Sequence, residues 1–138
     1  MSTQATGTIE MKSWAEHTWD GKPYNEVSGH KLTQGTMVGG YQGDLEGTGE
    51  NRFLMTYADD QNCYSIGHEL ITGTLGGRRG TFVLQHVGEF HVGTVEGSCT
   101  VVPGSGTGEL VGLTGSGALD WSEGQSGRYT LDYDVPTA

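Results

Sequence analysis

The sequence predicts an all-β fold, an eight-stranded antiparallel closed barrel in a single domain, residues 1–138. Apolar and polar residues alternate through most of the chain, which is the pattern of half-buried strands and not of helices. Glycine makes up 25 of the 138 residues and interrupts the alternating runs at short intervals. The length suffices for one hydrophobic core and leaves no room for a second.

Composition must first be reconciled with folding, because few aliphatic residues and a formal charge of −10 are also features of disordered chains. Other features favour a fold. The chain holds 3 Trp and 6 Tyr, and only 17% of its residues are charged. Threonine, a β-branched residue that suits pleated surfaces, is abundant.

The predicted strands follow the alternating runs, and glycine, proline or acidic turns separate them. The connection from Trp19 to Gly29, which contains Pro23, is long enough to cap one end of a barrel. The connection from Pro103 to Gly115 has room for one short helical turn at 108–113. In chain order the strands are 5–16, 31–42, 47–58, 63–75, 80–90, 94–102, 115–122 and 127–134. Eight such strands close most simply into a barrel, which leaves no exposed sheet edge.

Several glycines fall inside predicted strands, where they weaken a sheet unless the backbone curves sharply or something approaches it closely. Both conditions suit a small barrel with an internal pocket. These glycines are Gly7, Gly35, Gly39, Gly67, Gly88 and Gly97.

Charge and motif patterns exclude several classes of function. With 7 Lys and Arg against 17 Asp and Glu, the surface repels phosphates, so neither nucleic acid nor a membrane is an expected partner. The N-terminus shows no targeting segment, and Cys63 and Cys99 are expected to be free thiols, so we expect a cytoplasmic protein. The five histidines lack metal-ligand spacing, and neither a metal nor another cofactor is expected.

Two long motifs carry a resemblance to a known family. They are Leu70-Ile-Thr-Gly-Thr-Leu-Gly-Gly-Arg-Arg-Gly-Thr-Phe-Val-Leu-Gln-His86 and Thr100-Val-Val-Pro-Gly-Ser-Gly-Thr-Gly-Glu-Leu110. Shorter matches are Gly43-Asp-Leu-Glu-Gly47 and Tyr129-Thr-Leu-Asp-Tyr133, so the likeness runs from about Ala5 to Val135. The sequence resembles a family of small bacterial proteins of unassigned function that share the barrel of plant allene oxide cyclases.

This resemblance implies an eight-stranded barrel, usually a homo-oligomer, with a cavity along its axis. Relatives of that barrel include allene oxide cyclases, spirotetronate cyclases and, more distantly, dirigent proteins. The catalytic residues of the plant enzymes are not carried over, because their motifs match no positions here, and a fold alone does not fix a function.

Glu69 and His86 are the candidate catalytic residues. If Gly77 and Arg78 are the central residues of the hairpin turn, Glu69 lies directly opposite His86 on a face that also carries Phe82 and Leu84. A carboxylate and an imidazole in an apolar cavity can exchange protons with a ligand. The alternative is an ordinary cross-strand pair on the outer face, because a change of one residue in the turn alters both partner and face.

The neighbouring strands supply candidate substrate-binding residues. Apolar matching in the next hairpin favours registers that bring Cys99 close to His86. Across the turn at Asp59, one register pairs Arg52 with Glu69, whereas a loop of odd length turns Phe53, Met55 and Tyr57 inward, and the sequence leaves both open. The candidate substrate-binding residues are Trp14, Tyr57, Phe82, Leu84 and Cys99.

The expected function is therefore to enclose a small, mainly apolar organic molecule. Catalysis would be a cofactor-free cyclisation or isomerisation, with Glu69 and His86 supplying charge or a proton. The alternatives are a non-catalytic binding protein for a lipophilic metabolite and an assembly module that acts through its outer face.

Overall fold

A computed structural model describes residues 2–91, 94–121 and 126–136. It contains eight strands and two short 3-10 helices, which are Tyr24–Glu26 and Gly108–Leu110. The strands are β1 (Thr3–Thr18), β2 (Lys31–Gly43), β3 (Leu45–Asp59), β4 (Asn62–Leu75), β5 (Arg78–His91), β6 (Thr94–Val101), β7 (Thr114–Trp121) and β8 (Ser126–Asp134).

The strands form a closed antiparallel barrel in sequence order, and β8 pairs with β1 to complete it. The predicted fold class is thus confirmed, and the strand boundaries agree with the prediction to within two residues. The alternation in the sequence matches the alternation of buried and exposed residues along the strands, as expected when one face of each strand points into a barrel.

The β4–β5 hairpin differs from its predicted register. Leu75 pairs with Arg78, so Gly76 and Gly77 are the central residues of the turn, and both have positive φ. As a result Glu69 lies opposite Leu84, and His86 lies opposite Gly67. The prediction was wrong by two positions in pairing. Because a shift of two preserves the face, Glu69 and His86 still point inward together.

The connection between β6 and β7 closes one end of the barrel, which we call the capped end. Thr107 N–H donates to Thr81 O at 2.8 Å, and this contact ties the connection to β5. Leu110 and Leu113 are fully buried and join the hydrophobic core. The predicted short helical turn is present at Gly108–Leu110. We call the opposite end, where the β1–β2 and β3–β4 connections lie, the far end.

Inward-facing glycines let neighbouring strands approach closely near the capped end. A Cβ on Gly73 would stand 2.1 Å from Glu46 O, and one on Gly117 would stand 1.9 Å from Thr130 O. No side chain fits at such distances, so the strand glycines permit the tight curvature of the wall.

A bulge in β1 changes which residues of that strand face the interior. The pairing with β2 shifts between Met11 and Ser13, and beyond the shift Trp14 lies opposite Met37, an inward residue. Since a bulge inserts one residue, the inward positions change from odd to even numbers. Glu16 and Thr18 are consequently buried.

In the part of the chain that the structure describes, no helix has the length and apolar character needed to cross a membrane.

Candidate functional site

Glu69 is the centre of a hydrogen-bonded cluster on the inner wall. Its side chain is 1% exposed. Tyr41 Oη donates to Glu69 Oε1 at 2.7 Å, and His86 Nε2 lies 2.7 Å from the same oxygen. Because a carboxylate accepts hydrogen bonds, this arrangement assigns the imidazole proton to Nε2 and leaves Nδ1 with a basic lone pair. The Glu69, Tyr41 and His86 side chains are hereafter the Glu69 cluster.

A glycine on the adjoining strand makes room for this cluster. A Cβ on Gly49 would stand 2.0 Å from Glu69 Oε2, so the carboxylate occupies the space that a side chain at 49 would fill. Burial, followed by the charge and the hydrogen bond of Glu69, raises the pKa of Tyr41 well above its usual range. Tyr41 therefore stays protonated and serves as a fixed donor.

Cys99 lies directly opposite His86 in the β5–β6 ladder, which confirms one of the registers that apolar matching favoured. Burial and the nearby Glu69 charge raise the pKa of the Cys99 thiol to about 11. Burial likewise raises the pKa of Cys63 to about 11. Both cysteines are therefore thiols at neutral pH, and Cys99 is a small apolar wall residue and not an activated nucleophile.

This environment predicts slow alkylation of both cysteines in the native protein. Raising the pKa from 9.0 to about 11 lowers the thiolate fraction at pH 8 by about 100-fold. Iodoacetamide labelling followed by mass spectrometry should show at least this ratio between urea-unfolded and native protein. Equal rates at Cys99 in the two states would contradict the raised pKa and the burial of its thiol.

A second buried carboxylate lies nearer the far end. Glu16 is 9% exposed, and its Oε2 accepts hydrogen bonds from Thr33 Oγ1 at 2.6 Å and from Tyr57 Oη at 2.7 Å. Burial, followed by the hydrogen bond to Glu16, raises the pKa of Tyr57 far above its ordinary value. We call Glu16, Thr33 and Tyr57 the Glu16 cluster.

Lys31 fastens the β1–β2 connection beside the Glu16 cluster. Its Nζ donates to Tyr24 O at 2.7 Å and to Val27 O at 2.6 Å. The same ammonium lies 4.7 Å from the centre of the Tyr57 ring and 5.4 Å from that of Tyr24. One side chain thus contacts both the wall and the connection predicted to cap this end.

The predicted substrate-binding residues occupy different surroundings. Phe82 and Leu84 are buried within the packed core of the capped half. Tyr57 belongs to the Glu16 cluster. Trp14 is 41% exposed and stacks on Phe53, with ring centres 4.7 Å apart.

The register of β3 and β4 settles the choice that the sequence left open. Asn51, not Arg52, lies opposite Glu69, and Arg52 is on the exposed outer face opposite His68. Phe53 and Tyr57 consequently face inward, because the pairing shifts by one residue between Tyr57 and Asp59 and not because the connection has an odd length. The carboxylate of Glu69 has no arginine beside it on β3.

Sequence reasoning missed Tyr41, Asn51, Glu16 and Thr33. Tyr41 follows two glycines at the end of a strand, and alternation from Met37 places it inward, so this signal was available. Glu16 had no such signal. Alternation counted from Ile9 predicts that Glu16 faces outward, and it faces inward only because of the bulge.

The inner wall also carries polar atoms without hydrogen-bond partners. Among the described residues, the buried side-chain atoms that lack a partner are Asn51 Oδ1, Glu69 Oε2 and Trp121 Nε1. All three belong to inward-facing residues. Buried polar atoms are nearly always satisfied, so these three atoms are the open hydrogen-bonding positions of the described inner wall.

In the far half of the barrel, several inward-facing side chains are only partly buried, whereas the capped half is tightly packed. These partly buried residues are Asn51, Met55, Ser65, His86, Phe90, Val95, Leu119 and Trp121. The Glu69 cluster lies where the two halves meet. Separately, a shallow groove of about 340 Å³ lined by His17, Gln34 and Arg52 lies on the outer side and includes no member of the Glu69 cluster.

Within residues 2–91, 94–121 and 126–136, no group of three or more His, Cys, Asp or Glu side chains is arranged to hold a metal ion.

Fold and site together define a class: a closed eight-stranded antiparallel barrel with a buried Glu–Tyr–His cluster on its inner wall. A family model matches residues 5–133, and the chain belongs to that family, DUF3224, which is described as a protein of unknown function. The prediction of a family of unassigned function is confirmed. The likeness to allene oxide cyclases stays a prediction.

A solved structure gives the same result. The chain is similar to a protein of unknown function from the DUF3224 family of Shewanella oneidensis MR-1, with a TM-score of 0.79 and 26% sequence identity. The match covers 99% of this chain and 100% of the other. No curated protein matches the sequence.

Proposed function

We propose that the barrel encloses a small, mainly apolar organic molecule in its far half and that the Glu69 cluster acts on it as a cofactor-free isomerase or cyclase. One observation carries the proposal. A fully buried carboxylate holds both a tyrosine and a histidine at 2.7 Å, at the boundary between the packed core and a region where several inward-facing side chains are only partly buried.

The hydrogen bonds of the cluster define its chemistry. With Nε2–H bound to Glu69, His86 can accept a proton from a ligand at Nδ1 and return it at another atom. The Glu69 carboxylate orients the ring and stabilises the imidazolium that forms. Tyr41 holds the carboxylate in place. Apolar and aromatic side chains would keep a flexible substrate in its reactive conformation, which lowers the entropic barrier to ring closure.

Filling the inner wall is expected to abolish ligand binding. Ser65 faces inward and is partly buried, so a phenylalanine there would occupy the space in front of Gly88. We expect wild-type protein to bind the neutral dye Nile red with a fluorescence increase at a ratio of one per chain. The Ser65→Phe variant should bind at least about tenfold more weakly, since the new ring would occupy space that the proposed ligand needs.

Ser116→Phe is the matched control, because Ser116 is exposed on the outer face of β7 and lies opposite Asp132. It adds the same ring outside the barrel and should bind Nile red like the wild type. Equal binding by Ser65→Phe, or no binding by any of the three proteins, would contradict an enclosed ligand.

Catalysis is tested with the native ligand. Native mass spectrometry of protein purified from its own host should reveal a retained organic mass, and its conversion can then be followed. Glu69→Gln and His86→Ala should each slow turnover by about 100-fold or more, the usual contribution of general acid–base catalysis. Retention without turnover in the wild type would favour the alternative of a non-catalytic binding protein.

An apolar row on the outer face supports a homo-oligomer as part of this proposal. Leu54, Ile66 and Val87 are cross-strand neighbours on β3, β4 and β5, and they are 47%, 47% and 53% exposed. Exposed apolar patches of this kind commonly mark protein interfaces. The family resemblance also implies an oligomer.

A lysine in the centre of that row is expected to separate the subunits. Sedimentation should show wild-type protein as an oligomer and Ile66→Lys as a monomer at about 10 µM, because a buried unpaired charge opposes association. Thr100→Lys, on the exposed face of β6, adds the same charge elsewhere and should remain oligomeric. A monomeric wild type would refute this part of the proposal.

We also place the protein in the cytoplasm, a proposal that the two buried free cysteines support, since reduced thiols persist in reducing compartments.

A further inference from the structure

The distribution of charges over the barrel wall is strongly asymmetric. The chain has seven Lys and Arg residues. Of these, Arg52, Arg79 and Arg128 lie at exposed strand positions, and Lys12 and Lys22 have side chains that are 52% and 62% exposed. Arg78 adjoins the β4–β5 turn at the capped end. Permanent positive charge is therefore scarce on the inner wall of the far half.

Among the described residues, Lys31 is the cation at an inward-facing strand position of the far half. Its ammonium group already has hydrogen-bond partners. It donates to two backbone carbonyls of the β1–β2 connection and contacts two tyrosine rings. It is thus committed to fastening that connection. The two buried carboxylates, Glu16 and Glu69, face the same interior without an arginine or lysine ion pair among the described contacts.

Glu69 has acceptor capacity left over. Tyr41 and His86 both bind Oε1, whereas Oε2 is buried and has no donor in the described part of the chain. Asn51, its cross-strand neighbour, has a second buried acceptor, Oδ1, which also lacks a donor among the described residues. Because Oε2 lies over Gly49, a ligand donor reaches it when the carboxylate rotates about its soft terminal torsion. A donor on the ligand would satisfy an atom whose burial is otherwise unfavourable.

Aromatic rings provide the rest of the surroundings. Phe53 and Tyr57 are buried inward residues, Phe90 and Trp121 are partly buried ones, and Trp14 stacks on Phe53. The faces of such rings attract cations. Lys31, held 4.7 Å from the Tyr57 ring, shows that an ammonium group is accommodated by this wall.

We propose that the ligand of the barrel is an amphipathic organic amine, whose apolar body lies along the aromatic wall and whose ammonium group binds Glu69. This inference rests on the proposed function and narrows its ligand class. Molecules that carry a carboxylate at the inner end, including fatty acids, are disfavoured because they would bring a third negative charge toward two buried carboxylates.

Three probes with the same chain and different head groups test the proposal: octylamine, 1-octanol and octanoate, each competing with Nile red at pH 7. Octylamine should bind at least about tenfold more tightly than octanol, as expected for a charge-assisted hydrogen bond. Octanoate should bind more weakly than octanol. In Glu69→Gln the preference for octylamine over octanol should fall by about tenfold, whereas octanol affinity should be unchanged.

Glu50→Gln is the matched control. Glu50 precedes Asn51 on β3 and is exposed on the outer face, so its substitution removes the same charge without touching the interior. It should keep the wild-type preference. A loss of preference in Glu50→Gln equal to that in Glu69→Gln would show general attraction to an acidic protein and overturn a specific site.

The remaining outcomes separate the two proposals. Nile red could bind inside while the three probes compete equally or octanoate competes best. Either result would refute the proposal of an amine ligand and leave the proposal of an enclosed apolar ligand standing. If Nile red binds and no probe displaces it, the amine is again refuted. If Nile red does not bind, both proposals fall. The wild-type probe series decides the question even if Glu69→Gln does not fold.

Discussion

Replacing Glu69 with alanine is expected to lower the free energy of unfolding by about 3–5 kcal/mol, because two buried donors then lose their common acceptor. Tyr41 Oη and the Nε2 of His86 both bind Glu69 Oε1, and the glutamate itself is 1% exposed. Guanidinium denaturation followed by tryptophan fluorescence measures the difference.

Glu69→Gln is the control for this loss. The amide keeps an oxygen that can accept from both donors and places a group of the same size over Gly49. It should cost about 1–2 kcal/mol, because neutral acceptors form weaker hydrogen bonds than charged ones. An alanine variant as stable as the glutamine variant would mean that the cluster contributes little to folding.

Replacing Gly73 with alanine should lower the free energy of unfolding by about 2–3 kcal/mol, the upper part of the range typical of overpacked positions. The new Cβ would stand 2.1 Å from Glu46 O and 2.8 Å from the Cα of Gly47. Both contacts are backbone atoms of β3, so relief requires that the two strands move apart. The same denaturation experiment measures this loss.

Gly40→Ala tests whether the loss comes from close approach or from any alanine in a strand. A Cβ at position 40 meets the Cε of Lys12 at 2.8 Å, and that flexible side chain can swing aside. The variant should be neutral or more stable by about 0.5 kcal/mol, because alanine restricts the unfolded chain. Equal destabilisation by the two substitutions would refute the role assigned to strand curvature.

The sequence predicted which face of the barrel wall each side chain occupies more successfully than it predicted the cross-strand pairing. Alternation has a period of two, so a turn that is misplaced by one residue shifts the pairing by two and returns every side chain to the same face. That is why Glu69 and His86 were correctly placed together although they are not opposite each other. Apolar matching likewise identified the neighbourhood of Cys99 and His86.

The rest of the site depended on features that have no local signature. The β1 bulge turns Glu16 inward, and the sequence around Lys12 contains no glycine or proline that marks it. The space over Gly49 receives a carboxylate from the next strand, which only the three-dimensional register reveals. Asn51, rather than Arg52, met Glu69 because of the irregular pairing between Tyr57 and Asp59.

The packing of Leu110 and Leu113 against the core gives the barrel a polarity along its axis. Under the proposed function, a ligand must enter and leave the barrel by the same route. The group that enters first, its leading group, is the last to leave. Its leading group is then limited in size by the fixed floor near the Glu69 cluster, whereas its trailing group is not. Structural variety among guests would therefore be tolerated at one end of the molecule only, and exchange would be governed by departure of the previous occupant.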